Sequence, residues 1–338
     1  MNRQWQLNRR PVGEPTISDF KLVTGNVPAR VAENDVLVRN RLLSLDPYMR
    51  WRMDDAKSYA PAVGLGEVMV GATISEVLQS QTPEFKVGDI VAAQGGWQDY
   101  AVVNRKAVRK LDVDQIAPEA YLGVLGSPGF TAYAGLMKIG NPRPGETVVV
   151  GAATGPVGSM VGQLARRTGA RAVAIAGGAE KCGIATSEFG FSAAIDHRAP
   201  DFAAQLAKAC PDGIDVYFEN IGGEVLEAVI PLLNDFARIP VCGVISQYSG
   251  LASGENETSL NRFMRDILVK RLLVRGFIVT DFADIREEFD QTIAPLVASG
   301  EIRRLEDVVE GLEQAPHAFL GLLRGKNRGK LIVRIDDD

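Results

Sequence analysis

The chain has 338 residues, 46% hydrophobic and 23% charged, which excludes a disordered or collagen-like polymer and predicts about two domains, each with its own core. Its 37 basic and 42 acidic side chains leave a net charge of −5, which argues against a nucleic-acid or anionic-membrane partner, since either needs a basic face. Three cysteines cannot build a disulfide framework and point to a reducing, cytoplasmic location, and with only two histidines the open chemistries are few.

The N-terminal stretch MNRQWQLNRRPVGEP lacks the apolar run of a signal peptide. Up to about residue 120, short alternating segments with turn punctuation (36–43, 84–92, 97–103) predict a barrel or sandwich-like β domain. Segment 120–137 carries no charge and just reaches the length of a membrane span. Gly123, Gly126, Gly129, Gly135 and Pro128 interrupt it, so a buried loop-to-helix entry is expected instead.

Near Gly126 the character changes. Apolar strands at 147–151, 172–176, 214–219, 239–245 and 272–279 alternate with helical stretches, clearest at 158–167 and 224–233. That alternation predicts βαβ units and a doubly wound parallel sheet. The tail returns to strand character at 330–335 after a Gly-rich turn. The expected plan is α/β: a β domain of 1–125 with a returning segment 304–338, and an inserted parallel-sheet domain of 126–303.

The strongest motif is 148–162, VVVGAATGPVGSMVG: a buried strand, a Gly-rich turn and a helix start. Ala153-Thr154-Gly155-Pro156-Val157-Gly158 occupies the place of the dinucleotide fingerprint, with a small residue for the first glycine. Gly155 would let the backbone approach a pyrophosphate, Gly158 would let helix pack on strand, and the phosphates would meet the positive helix end. NAD sites place a carboxylate at the tip of the second strand. Here that strand ends in Gly177-Gly178, and Lys181 follows, suited to a 2′-phosphate. This favours NADP; Glu180 beside it keeps NAD open.

A zinc dehydrogenase site needs Cys, His and carboxylate ligands together. Cys182, Cys210, Cys242 and His197 all fall in the α/β domain, no C-x-x-C occurs, and the first domain is expected to offer neither Cys nor His, so no metal is expected. No G-x-S-x-G elbow suggests a hydrolase. Tyrosine becomes the main candidate proton donor. Residues 241–245 read as a parallel strand whose carboxyl end carries Ser246 and Tyr248, where open α/β sheets bind ligands. Tyr248 is either a catalytic donor or an aromatic packed on a cofactor. Tyr48, Met49, Trp51 and Tyr59 are either an aromatic substrate wall or ordinary interface packing.

Several stretches carry a family resemblance: SLDPYMR at 44–50, LGSPGFTAY at 125–133, the loop at 151–162, YFENIGG at 217–223, CGVISQY at 242–248 and GKNRGK at 325–330. In order and over nearly the whole chain, they resemble the zinc-independent branch of the medium-chain dehydrogenase/reductase superfamily. That branch includes the leukotriene/prostaglandin reductases, plant double-bond reductases and bacterial NADPH-dependent curcumin reductases. The resemblance implies a GroES-like β domain plus a Rossmann domain, and a homodimer built by sheet continuation. It implies NADPH-dependent reduction of the C=C bond of α,β-unsaturated ketones and aldehydes. It further implies cofactor contacts at Gly155, Gly158, Lys181, Asn220, Cys242, Ser246, Tyr248, Phe277, Ile278, Val279 and Asn327. His197 stands where many relatives have a tyrosine on the adenosine-phosphate side. The alternatives are a quinone reductase using NADPH and a non-catalytic NADPH-binding protein.

Overall fold

The computed structural model describes residues 1–56, 58–248 and 269–335, together with Phe263, Asp266 and Ile267. The chain divides into two compact units, 1–122 with 306–338, and 123–305.

In the first unit, β1 (Asn2–Leu7) and β2 (Phe20–Gly25) form an antiparallel pair. Strand β3 (Asp35–Ser44) is followed by a single helical turn, α1 (Met49–Arg52), then β4 (Thr73–Ser80), β5 (Ile90–Ala93), β6 (Tyr100–Asn104) and β7 (Arg109–Lys110). Strand β3 pairs antiparallel with both β4 and β6 and is buried along most of its length. The segment expected at 84–92 is a turn feeding the strand that begins at Ile90. Gly88 lies at φ +88° in the preceding turn, closed by the Lys86 amide donating to Asp89 Oδ2 at 2.9 Å.

The second unit opens with α2 (Ser127–Tyr133), which runs on as a π-helical turn, Ala134–Gly140. No described helix is long and apolar enough to cross a membrane. A regular alternation follows: β8 (Thr147–Gly151), α3 (Pro156–Arg167), β9 (Arg171–Ala176), α4 (Ala179–Ser187), β10 (Ala193–Asp196), α5 (Phe202–Ala209), β11 (Ile214–Phe218), α6 (Gly223–Val229), β12 (Leu233–Val241), β13 (Leu273–Gly276) and α7 (Arg286–Ala298). The six strands are parallel in the order β10-β9-β8-β11-β12-β13, the doubly wound order, which reverses direction between β8 and β11. Every residue of β8 is buried, as a central parallel strand requires.

The expected elements shift in two places. The helix expected to reach 233 gives way at Ile230 to a 3₁₀ turn containing Pro231, which lacks the amide to continue. Strand β12 therefore starts at Leu233, is broken in register near Phe236 (φ +64°), and ends at Val241 rather than at Ile245. Beyond it, the amides of Cys242 and Gly243 both turn to the carbonyl of Glu219, and 245–247 is a 3₁₀ turn. Likewise β13 stops at Gly276, and Val279 begins a 3₁₀ segment.

The chain then re-enters the first unit with β14 (Glu306–Glu310), α8 (Ala315–Leu323) and β15 (Lys330–Arg334). Strand β15 pairs parallel with β14 and antiparallel with β3, giving the order β14-β15-β3-β4-β5-β7. Trp97 anchors this core, stacked on Phe20 at 5.6 Å and edge-on to Phe319 at 5.5 Å. The expected class, a sheet-rich β domain plus a Rossmann-like parallel-sheet domain, is borne out. His317 lies on α8, exposed, so the expectation that the first unit has no histidine is corrected: it holds one.

Candidate functional site

The turn after β8 sits at the carboxyl ends of the strands, beside the reversal point where open α/β sheets hold ligands. Ala152 takes a left-handed φ of +51°, and its carbonyl accepts from the Gly155 amide at 2.9 Å. The Ala153 amide is tied to Ile175 O of β9 at 3.2 Å. Ala153 and Thr154 are buried, while Pro156 and Val157 are half-buried. Gly155 is the N-cap of α3 and Pro156 its first residue, a position where the missing amide costs nothing. A side chain at Gly158 would bring Cβ within 2.5 Å of Ala152 O and 2.8 Å of Ala153 Cα, so only glycine lets α3 start this close to the turn. The open amides of the first helical turn make an anion-binding end on a twelve-residue helix. These residues fit a dinucleotide pyrophosphate.

Across the reversal point lies the turn after β11. The Asn220 side chain donates to Gly151 O at 3.0 Å and accepts from Cys242 Sγ at 2.8 Å, joining the ends of β8, β11 and β12. Burial pushes the Cys242 thiol far above its ordinary value, so it stays neutral and donates. Ser246 Oγ donates to Ile221 O at 2.6 Å, seating the 245–247 turn on the same loop. Tyr248 is buried, its amide on Ile245 O at 3.2 Å and its hydroxyl over Gly243, where a Cβ would lie 3.1 Å from Oη.

At the tip of β9, Gly177 and Gly178 lead into α4, which carries Lys181 in its first turn. His197 and Arg198 approach from the end of β10: a Cβ on Gly177 would lie 3.0 Å from His197 Nε2 and 3.1 Å from Arg198 Nε. Burial, then the charge of Arg198, lowers the His197 pKa, so the imidazole is neutral at pH 7. Sequence reasoning found no carboxylate at this tip; the structure brings one from β10. Asp196 Oδ1 accepts the amides of Gly178 and Arg198, each at 2.9 Å, and these bonds hold its pKa down. That oxygen shapes the turn, and Lys181 and Arg198 supply positive charge beside it.

Phe277, Ile278 and Val279 follow β13 at the same end of the sheet. The Phe277 ring packs edge-on to Phe218 at 6.3 Å and Phe282 at 5.8 Å. Ile278 and Val279 are half-buried.

In the first unit, Tyr48 caps α1 and Trp51 lies within it. Burial first, then Asp46, pushes the Tyr48 phenol well up; the half-exposed Tyr59 is raised too, mainly by burial. Met49 is fully buried in the core with Leu43 and Trp97. The α1 turn is held by charges. Lys330, 3% exposed, donates to Asp46 Oδ1 at 2.6 Å and to Leu45 O at 3.0 Å, and Ser44 Oγ donates to Asp46 as well. Arg50, also buried, pairs with Asp54 at 2.7 Å and reaches Gly13 O at 2.9 Å. Asn327 closes its own turn onto Gly329 O at 2.7 Å.

Sequence reasoning missed Arg198, Glu219 and Lys330. Arg198 directly follows His197, so its place at the tip could have been read from that histidine. Glu219 stood within a quoted motif with no role attached. Lys330 also stood within a quoted motif with no role attached, and its partner is 284 residues away.

Known proteins resemble this chain throughout. A family model described as the N-terminal domain of oxidoreductase matches residues 3–111, and one described as zinc-binding dehydrogenase matches 156–298. The NADPH-dependent curcumin reductase of Escherichia coli (strain K12) is 48% identical, covering 100% of this chain and 98% of that protein. The 2-alkenal reductase (NADP(+)-dependent) of Nicotiana tabacum is 38% identical over 99% of this chain and 97% of its own. The crystal structure of CurA in complex with NADPH from Vibrio vulnificus superposes with a TM-score of 0.95 at 49% identity, covering 99% of this chain and 100% of that one.

Proposed function

The chain belongs to the medium-chain dehydrogenase/reductase superfamily, in the branch of curcumin, 2-alkenal and prostaglandin reductases, and is an oxidoreductase; from that premise we propose that it reduces the C=C bond of α,β-unsaturated ketones and aldehydes with NADPH. The observation that carries this reading is the glycine-built turn at Gly155 and Gly158, set at the strand-order reversal and bridged by Asn220. The names of the relatives, NADPH-dependent and NADP(+)-dependent reductases of conjugated carbonyls, support the substrate class. NADPH over NADH is supported by Lys181 and Arg198 at the tip of β9, with His197 neutral beside them. The proposed contacts to the cofactor are Ala153, Thr154, Gly155, Pro156, Val157, Gly158, Lys181, His197, Asn220, Cys242, Ser246 and Tyr248, with Ile278, Val279, Asn327 and the backbone of Phe277.

When bound, NADPH would supply a hydride for the β-carbon of the enone; negative charge would develop on the carbonyl oxygen, and a proton taken up from solvent at the α-carbon would complete the saturated carbonyl product. Tyr248 is neutral at pH 7, since phenols ionise near pH 10, and donates a hydrogen bond to that oxygen. A donor so placed contributes about 2.7–4 kcal/mol to the transition state. Replacing Tyr248 with Phe is expected to lower kcat on an enone about 10²–10³-fold; an unchanged kcat removes Tyr248 from the chemistry. In the first unit, Tyr48, Trp51 and Tyr59 are proposed substrate contacts.

The donor set does not fit a zinc ion. The first unit offers one exposed histidine and no cysteine, and among the described residues no three of His, Cys, Asp and Glu stand together for a metal. No step is assigned to a metal. A homodimer by sheet continuation is supported by β13. Among the described residues it is an edge strand, with Leu273 exposed and Val269 and Phe236 exposed nearby. Three free cysteines support a reducing, cytoplasmic setting.

The test is NADPH oxidation with a panel of enals, enones and quinones. Turnover of enals and enones is expected. Turnover of quinones alone would make it a quinone reductase, and tight NADPH binding without turnover would make it a non-catalytic binding protein; either overturns the reading.

A further inference from the structure

The reversal point holds a buried acid that the mechanism above does not use. Glu219 directly follows β11 and is 1% exposed. Its Oε1 accepts three donors: the amides of Ile221 at 2.6 Å and Gly222 at 2.8 Å, and the hydroxyl of Tyr217 at 3.1 Å. Its Oε2 is buried with no hydrogen-bond partner among the described residues, and burial raises the carboxyl pKa. An acid is costly in such a place, where an apolar side chain would pack without penalty.

The surroundings show what the acid does. Its backbone already ties β11 to β12: the Glu219 amide donates to Pro240 O at 2.9 Å, and its carbonyl accepts Cys242 N and Gly243 N at 3.1 and 3.2 Å. The side chain then folds back over its own C-terminal turn and takes two consecutive amides, which closes the turn. Gly222 at φ +75° and Gly223 at φ +56° supply the left-handed backbone this closure needs. Asn220, held between the acid and those amides, is thereby aimed at Gly151 O and Cys242 Sγ.

Two successive backbone amides at a helix start also form a natural anion cradle. Here the chain's own carboxyl fills it. The open anion-binding end at this crevice is then that of α3.

We propose that Glu219 is a positioning residue for NADPH: it closes the turn after β11, locks Asn220 onto the phosphate-binding turn, and so sets cofactor affinity without touching the reacting atoms. The proposal rests on the NADPH reading above and deepens it.

The experiment measures the NADPH dissociation constant by fluorescence titration, kcat on an enone at saturating NADPH, and urea unfolding, for the wild type, Glu219→Gln and Glu219→Ala. Wild-type binding and turnover test the functional reading on their own, so its failure is distinguishable from failure of the variants. Glutamine keeps an oxygen for the two amides and is expected to stay within about threefold of the wild-type dissociation constant. Alanine is expected to raise it about tenfold or more while kcat stays within about threefold. A folded alanine variant with wild-type affinity overturns the proposal, as does an equal loss in both variants, which would assign the effect to charge. Should Glu219→Ala not fold, Glu219→Asp, one methylene short, carries the same test. A dissociation constant raised about fivefold with kcat kept supports the proposal, and an unchanged one overturns it.

Discussion

Two of the turns that carry proposed ligand contacts are built on opposite principles. The turn after β8 is made of backbone and missing side chains: a left-handed Ala152, a glycine N-cap, and a Gly158 whose missing Cβ lets helix meet strand. Its geometry is settled within a few residues of sequence. The turn that carries Tyr48 and Trp51 is instead clamped by charges, one of them from the far end of the chain. Lys330 comes from the last strand to hold Asp46, and Arg50 is fixed by Asp54 and the carbonyl of Gly13. The first turn needs glycine; the second needs the Lys330–Asp46 ion pair, largely taken out of water.

The difference predicts how each will fail. Lys330→Ala leaves Asp46 at this site without its cation, and breaking such a pair is expected to cost about 3–5 kcal/mol of stability in urea unfolding. A loss below about 1 kcal/mol would place this pair with ordinary surface pairs and dissolve the contrast. Gly158→Ala forces a methyl against Ala152 O and is expected to cost about 1–3 kcal/mol, with NADPH binding weakened far beyond that of any other α3 substitution to alanine. A stable variant with wild-type NADPH affinity would show that the close approach is not needed.

The smallest effect is in pH. The His197 pKa is lowered in the fold, so the stability tied to its neutral form is present above its ordinary value near 6.5 and is lost as pH falls through the lowered value. The melting temperature of the wild type should therefore fall more steeply below pH 6.5 than that of His197→Gln. Parallel curves would mean the imidazole is not held neutral.

The same contrast explains what could be read in advance. The strand–turn–helix at 147–167 was legible because period, glycines and context are all local. The β12 boundaries were not, since Pro231, the irregularity at Phe236 and the capture of Cys242 and Gly243 by Glu219 O override an apolar run that reads on to Ile245. The aromatic neighbours of Met49 leave wall and packing equally open in sequence, and only the fold shows its side chain in the Trp97 core. Asp196 reaches the tip of β9 from the next strand, which no spacing rule within β9 could reveal. His317 returns to the first unit because the chain comes back there after residue 305, which its place near the C-terminus alone did not reveal.

The central claim, conjugate reduction by NADPH, is tested most directly by identifying the product formed from a simple α,β-unsaturated ketone under NADPH. The account predicts the saturated ketone, with the carbonyl intact and one NADPH consumed per C=C bond lost. An allylic alcohol, with the double bond intact, would contradict it.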